Sequence, residues 1–313
     1  MSKTPDFILF AQHGWADTHH AIATLATALA TPQTHVITPN LGWLKTWLRI
    51  EPLIEYVETI AADAIINYPN TPIRIIGHSM GGLIWLEVLN RHPEWWHKIE
   101  ALVLVGSPVG GADLARMFDP WGIGIGIAGA LGINRRQIAQ LIAKTIPTLV
   151  IAGDIDGGSD GTITVGTTNF TGAKFVCLPG LSHIALKNHP NVIEIIHEFW
   201  ANPLIITAPV SDFTALLIER LQSIPGMMDA HWRDFTRAKP YMLFNNGLTL
   251  RTWTHPLQVE HIFIANHEEQ CVYGGFVGWS HITTLREALE EIREWAVDQL
   301  LKQEAANQIL RGN

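Results

Sequence analysis

Several features that direct proteins to membranes or nucleic acids are scarce in this sequence. Only 16% of the 313 residues are charged, and the formal net charge is -8. An excess of acidic residues disfavours nucleic acid and anionic membranes as electrostatic partners of the whole chain. No apolar run approaches the roughly 18 residues that a membrane-spanning helix requires, so we expect no transmembrane anchor.

Cysteine and a secretory signal are scarce as well. Cys177 and Cys271 lie far apart in the sequence, and the first residues lack an apolar segment followed by a cleavage site. Two free thiols in a reducing compartment are therefore favoured over a single disulfide, and we expect a cytoplasmic protein. The hydrophobic fraction of 47% is enough for a large core, and the length favours about two domains.

The strongest motif lies in residues 73–91. Residues 73–76 form a β-branched run that is typical of a buried strand, and an apolar helical pattern begins at residue 83. Between them, residues 77–81 read G-H-S-M-G. A G-x-S-x-G motif placed between a strand and a helix predicts a nucleophile elbow, a strained turn that holds a serine. Ser79 is therefore the predicted nucleophile.

Strand-like and helix-like segments alternate through the first two hundred residues. Strands are predicted at 7–10, 34–38, 73–76, 101–105, 148–152 and 174–178, and helices at 17–30, 44–66, 83–91 and 192–200. The strands are apolar throughout, which is typical of a parallel sheet covered by helices on both faces. Residues 1–202 are therefore predicted to form one α/β domain, in which residues 107–146 form a short cap.

A serine nucleophile needs a base and an acid from loops at the same edge of the sheet, in the chain order Ser, Asp or Glu, His. His183 follows the strand at 174–178 and is the predicted base. Asp160 is the predicted acid, because Ile163 can anchor the chain beneath the sheet. Asp156 stays an alternative, since it lies closer to the preceding strand.

Stabilisation of an oxyanion requires two preorganised backbone N–H groups. One is predicted to be the amide of Met80, directly after the nucleophile. The other is predicted to be the amide of Trp15, in a loop where Gly14 permits a close backbone approach. Gly14, His78 and Trp121 are also predicted to contact the substrate, and Trp121 lies in an apolar, glycine-rich part of the cap.

Together these motifs resemble the α/β-hydrolase superfamily, in particular its lipase and esterase branch. The residues that carry the resemblance are 13–14, 77–81, 159–161 and 182–183. The resemblance covers about residues 5–201 and implies transfer of an acyl group to water by Ser79, His183 and Asp160, without a cofactor. A small-molecule or lipid-like ester is the expected substrate, and no metal site is expected. A thioesterase or an acyltransferase would use the same residues and stays an alternative.

Residues 203–313 are predicted to form a small α+β accessory domain. A helix follows the capping residue Asp212, and a second helix is predicted from Thr284 to Leu301. The strand-like runs between these helices are 248–253, 259–265 and 271–279. This segment is expected to cover the active site, form a homodimer or bind a protein partner. A hydrolase-fold scaffold that acts through this segment is the alternative to an enzyme.

Overall fold

The computed structural model describes residues 4–111, 127–207, 212–256 and 258–311, and the chain divides into two compact units. These units are Met1–Ala208 and Pro209–Asn313. The division lies a few residues beyond the boundary placed after residue 202 from the sequence. Within the described ranges, no helix is long and apolar enough to cross a membrane.

Six parallel strands form the sheet in the described part of the first unit, in the order β2-β1-β3-β4-β5-β6. The strands are β1 (Phe7–Gln12), β2 (Thr34–Ile37), β3 (Ile73–His78), β4 (Ile99–Val105), β5 (Thr148–Asp154) and β6 (Lys174–Pro179). Strands β1, β3, β4 and β5 are almost wholly buried, which explains why their sequences do not alternate between apolar and polar residues.

Helices pack on both faces of this sheet. Helices α1 (His19–Leu29) and α7 (Pro190–Ala201) belong to one apolar core. The second core is formed by the other face together with the helices α2 (Glu51–Asn67), α3 (Met80–Arg91), α4 (Ile127–Leu131) and α5 (Arg136–Ala143). A short helix, α6 (Val165–Thr168), follows β5. The predicted α/β-hydrolase architecture is confirmed.

The single long helix predicted over residues 44–66 is wrong at its beginning. Residues Lys45–Trp47 form a 3-10 turn, and α2 starts only at Glu51. The buried Thr46 hydroxyl accepts a hydrogen bond from the Ala16 amide at 3.1 Å and donates to the Trp43 carbonyl at 2.6 Å. These contacts, of which the one to Ala16 is tertiary, hold the segment against a neighbouring loop. They outweigh the helical spacing of its apolar residues.

The predicted cap over residues 107–146 is described in part. Helices α4 and α5 lie within it, while Trp121 lies outside the described residues. The guanidinium of buried Arg135 forms an ion pair with Glu87 of α3 at 2.7 Å. The C-terminal part of the cap is thereby attached to the helix that follows the elbow.

The second unit contains an antiparallel sheet and two helices in its described part. The strand order is β7-β11-β10-β9-β8. The elements are α8 (Phe213–Gln222), β7 (Met227–Asp229), β8 (Lys239–Leu243), β9 (Thr249–His255), β10 (Val259–Ala265), β11 (Cys271–Val277) and α9 (Ile282–Arg311). The Asp212 carboxylate caps α8 by accepting a hydrogen bond from the Ala215 amide at 2.8 Å. The predicted small α+β domain is therefore present, with two strands that the sequence pattern did not indicate.

Candidate active site

The turn that carries Ser79 has a strained backbone. Ser79 has φ 56° and ψ -128°, a conformation that costs a non-glycine residue on the order of 1–3 kcal/mol. A Cβ on Gly77 would lie 2.4 Å from the Cα of Gly82, and one on Gly81 would lie 2.3 Å from the Gln12 carbonyl oxygen. Only glycine fits at these two positions, so the sequence motif is required by the packing of the turn. The predicted elbow geometry is present.

Asp160 and His183 form a largely buried hydrogen-bonded pair. The His183 Nδ1 atom lies 2.6 Å from the Asp160 Oδ2 atom, and the His183 amide donates to the Asp160 carbonyl at 2.9 Å. A carboxylate can only accept a hydrogen bond, so Nδ1 carries the proton and Nε2 is left as the basic nitrogen. The second carboxylate oxygen accepts the amides of Thr162 and Ile163 at 2.9 and 2.7 Å. The carboxylate of the predicted acid is thus held through both of its oxygens.

The alternative acid, Asp156, has different partners. Its carboxylate accepts hydrogen bonds from the Ser159 amide at 2.8 Å and from the Ser159 hydroxyl. Asp154 accepts three backbone amides, those of residues 156, 157 and 158, at 2.7 to 3.2 Å. Both aspartates therefore shape the loop that delivers Asp160 to His183.

Gly106, at the end of β4, lies against the ring of His183. A Cβ on Gly106 would lie 3.1 Å from both Cε1 and Nδ1 of that ring, and its φ of 56° favours glycine as well. The preceding residue, Val105, accepts the Ser79 amide at 2.9 Å. The end of β4 therefore contacts both the elbow and the predicted base. Sequence reasoning missed this role, although the positive φ explains the glycine that directly follows the strand.

His78 supports the base from the other side. Its Nε2 atom lies 3.1 Å from the His183 carbonyl oxygen, and the two ring centroids are 4.7 Å apart. His78 is buried, and burial, followed by the nearby charge of protonated His183, holds the pKa of His78 well below its usual value. A neutral His78 that donates from Nε2 fits these surroundings. These contacts show that His78 holds His183, while the substrate contact predicted for His78 from the sequence stays a prediction.

The loop after β1 lies against the elbow. A Cβ on Gly14 would lie 2.8 Å from the Ser79 Cβ and 3.0 Å from the Met80 amide nitrogen. The side chain of buried His13 holds this loop, with Nε2 accepting the Leu41 amide at 3.1 Å and Nδ1 lying 3.1 Å from the Gly14 carbonyl oxygen. Gly14 therefore allows the contact between loop and elbow that an oxyanion hole built from Met80 and a loop amide needs.

Trp15 continues this loop and packs against Trp47, with ring centroids 4.4 Å apart. The next residue, Ala16, has a positive φ of 52°, and its amide is the donor held by Thr46. Asp17 forms an ion pair with Lys187 at 2.8 Å, which connects the loop to the segment just after His183. These contacts fix the loop at Trp15 and at the two residues that follow it.

Comparisons with known proteins address the fold and the family of the chain. No curated protein matches the sequence. The propeptide form of a Bacillus licheniformis lipase aligns with 81% of this chain and 58% of its own, with a TM-score of 0.52 and 13% identity. The mature form of that lipase covers 64% of this chain and 93% of its own, with a TM-score of 0.48 and 14% identity. Est1E from Butyrivibrio proteoclasticus covers 64% and 91%, with a TM-score of 0.44 and 15% identity.

At such identities the solved structures show the fold alone. The family model described as serine aminopeptidase, S33, matches residues 3–161, which is just over half of the chain. The match includes β1, the elbow and the loop up to Asp160. The chain therefore belongs to the serine aminopeptidase S33 family of the α/β-hydrolase superfamily.

Proposed function

We propose that the protein is a serine hydrolase that cleaves carboxylic esters with apolar acyl or alcohol groups. Ser79 would be the nucleophile, His183 the base and Asp160 the acid. The observation that carries this proposal is the largely buried hydrogen bond of 2.6 Å between Asp160 and His183, at the sheet edge where the strained Ser79 lies. Membership of a hydrolase family supports the same chemistry.

The reaction would proceed in two stages, acylation of Ser79 and hydrolysis of the acyl-serine. His183 Nε2 takes the hydroxyl proton of Ser79 as Oγ bonds to the ester carbonyl carbon, and the carbonyl oxygen becomes an oxyanion. The oxyanion collapses, the bond to the alcohol breaks, and His183 returns the proton to the departing alcohol. Water then attacks the acyl-serine with the same base, which releases the carboxylic acid and restores Ser79.

Three supporting groups would lower the barriers of these steps. Asp160 holds the imidazole in the tautomer that leaves Nε2 basic and stabilises the imidazolium that forms. The amides of Met80 and Trp15 would bind the oxyanion, and each such donor contributes about 3 kcal/mol to the transition state. The indole ring of Trp15, in the loop after β1, packs against that of Trp47. These apolar rings near the proposed oxyanion donors support an apolar ester as the substrate.

The first test is hydrolysis of p-nitrophenyl esters from acetate to palmitate, with Ser79→Ala alongside. We expect turnover that is lost in the variant, and the preferred chain length then measures the acyl pocket. A fluorophosphonate should label the wild type only, because it reacts with an activated serine. Amino-acid p-nitroanilides and acyl thioesters are assayed in parallel. Faster turnover of either would replace the ester as the substrate class, and no labelling would favour a scaffold that acts through residues 203–313.

A further inference from the structure

A surface segment beside the loop after β1 exposes three large apolar side chains. Within residues 43–49, Trp43 is 48% exposed, Leu44 73% and Leu48 64%. Single exposed apolar residues are common on protein surfaces, whereas a cluster within one short turn marks an interaction site. We refer to residues 43–49 as the docking segment.

The charge around the docking segment differs from that of the whole chain. Lys45 and Arg49 are exposed within it, residues 18–50 contain no aspartate or glutamate, and the exposed Glu51 is the first carboxylate after its C-terminal end. The carboxylate of Asp17 is already paired with Lys187. Exposed charges beyond about 10 Å are largely screened at physiological ionic strength, so the balance of Lys45 and Arg49 against Glu51, an excess of cations, counts for more at this surface than the net charge. The net charge of the whole chain therefore does not decide whether this surface can bind an anionic partner.

The docking segment is attached to the candidate active site. The Thr46 hydroxyl accepts a hydrogen bond from the Ala16 amide. The ring of Trp47 packs against the rings of Trp15 and Trp43, with centroids 4.4 and 5.4 Å apart. A molecule that binds this segment would therefore lie beside the loop that is proposed to supply one oxyanion donor.

We propose that the docking segment binds the surface of a phospholipid bilayer that contains anionic lipids. Trp43, Leu44 and Leu48 would enter the boundary between headgroups and acyl chains, while Lys45 and Arg49 would face the lipid phosphates. Protein segments that bind at a membrane interface typically combine exposed aromatic and aliphatic side chains with neighbouring lysine and arginine residues. The substrate would then be a lipid-borne ester presented at that surface, a step that rests on the proposed function.

Binding can be tested without turnover by placing every variant in a Ser79→Ala background. Flotation with vesicles of mixed phosphatidylcholine and phosphatidylglycerol should show binding that is weaker with phosphatidylcholine alone. Leu44→Ser/Leu48→Ser should weaken binding at least about tenfold, because two apolar side chains no longer enter the interface. The matched control is Ile66→Ser/Leu141→Ser, which removes exposed apolar residues from α2 and α5 and should bind as before.

A second pair of variants tests the electrostatic part. Lys45→Gln/Arg49→Gln should weaken binding to the mixed vesicles about tenfold or more. Lys144→Gln/Lys174→Gln removes the same charge from two exposed positions elsewhere and should have little effect. Equal losses in the control pairs, or no vesicle binding at all, would overturn the proposal.

Two further readouts distinguish lipid binding from dimer formation and from a loss of catalysis. A concentration-dependent dimer that Leu44→Ser/Leu48→Ser abolishes, without any vesicle binding, would identify the segment as an interface between copies of the chain and overturn the lipid proposal. Turnover of soluble p-nitrophenyl acetate by the Ser79 protein is measured separately. If the wild-type protein does not hydrolyse this ester, the proposed function is contradicted. The vesicle assays, which need no turnover, decide separately whether the docking segment binds lipid.

Discussion

Asp160 and Asp156 share one loop, yet their carboxylates have different partners. Asp160 contacts His183, whereas Asp156 contacts Ser159 within the loop itself. We expect Asp160→Asn to lower kcat by about 10³- to 10⁴-fold, because an amide in place of the carboxylate favours the wrong histidine tautomer. Asp156→Asn should cost less than about tenfold. Steady-state kinetics on a p-nitrophenyl ester, with circular dichroism to confirm folding, measures both. A larger loss in Asp156→Asn would reassign the acid.

His78 offers a second prediction at the scale of single residues. We expect His78→Phe to lower kcat about 10- to 100-fold with little change in KM, because His183 loses the donor to its carbonyl oxygen and shifts relative to Ser79. His78→Gln keeps an N–H donor and should restore part of the rate. If the two variants lose kcat to the same extent, and each loss accompanies a comparable drop in Tm, His78 acts only through the stability of the fold.

At the scale of elements, the site depends on how closely the loop after β1 approaches the start of α3. We expect Gly14→Ala to lower kcat by about 10²-fold or more, because the added methyl group would meet the Ser79 Cβ at 2.8 Å and push the loop away from the oxyanion position. The control is Gly278→Ala, where no atom lies within 4 Å of the added Cβ. Burst and steady-state kinetics on p-nitrophenyl acetate compare the two. An unchanged kcat in Gly14→Ala would place the second donor elsewhere.

The sequence predicts elements best where local pattern and tertiary contact agree. The buried strands of the first unit and the elbow carry their signal in consecutive residues, so the position of Ser79 could be predicted. The 3-10 turn at Lys45–Trp47 could not, because the hydrogen bond between Thr46 and Ala16 joins residues that are far apart in the chain. Strand β7 has only three residues, and β8 contains Pro240 at a sheet edge, so neither has a clear periodic pattern.

The same distinction applies to the candidate site. Chain order selected His183, and the apolar Ile163 favoured Asp160 over Asp156. The contacts of His183 with Gly106 and His78 depend on how the ends of β3 and β4 pack against the loop after β6. No spacing of residues in the sequence specifies this packing. Residues that position a base are therefore harder to predict than the base itself.

At the scale of the whole molecule, the apolar cores of the two units share no residue in the described part of the chain. The two cores of the first unit end at Trp200, and that of the second begins at Phe213. Two of the buried histidines, His13 and His78, belong to the first unit, and burial shifts the pKa of both. Acid should therefore act on the stability of the first unit through these two groups.

The direction of this pH dependence follows from their pKa values. Burial is the largest cause that lowers the pKa of both His13 and His78 from the ordinary value of 6.5. The unfolded chain therefore binds more protons than the folded one below about pH 6.5, and the free energy of unfolding falls as the pH drops. Each group contributes a slope that grows below about pH 6.5, cannot exceed about 1.4 kcal/mol per pH unit, and vanishes once the group protonates in the folded protein.

His92 acts in the opposite direction. Burial disfavours its protonation, but hydrogen bonds to Glu58 and Glu94 outweigh burial and raise its pKa. The stability that His92 contributes is therefore present in acid and is lost as the pH rises through its folded pKa. Because this site is partly exposed, its effect is smaller than that of the two buried histidines.

Urea unfolding of the wild type and of His78→Phe, measured at several pH values from about 7.5 down to 5.5, tests this balance. We expect the free energy of unfolding of the first unit to fall with acid in both proteins, with a slope that becomes smaller in the variant as the pH drops below about 6.5, by at most about 1.4 kcal/mol per pH unit. The comparison uses slopes, so a change in overall stability caused by the substitution does not affect it. Parallel slopes would mean that His78 is protonated equally well in the folded and unfolded chains, which contradicts its burial as a neutral donor to His183.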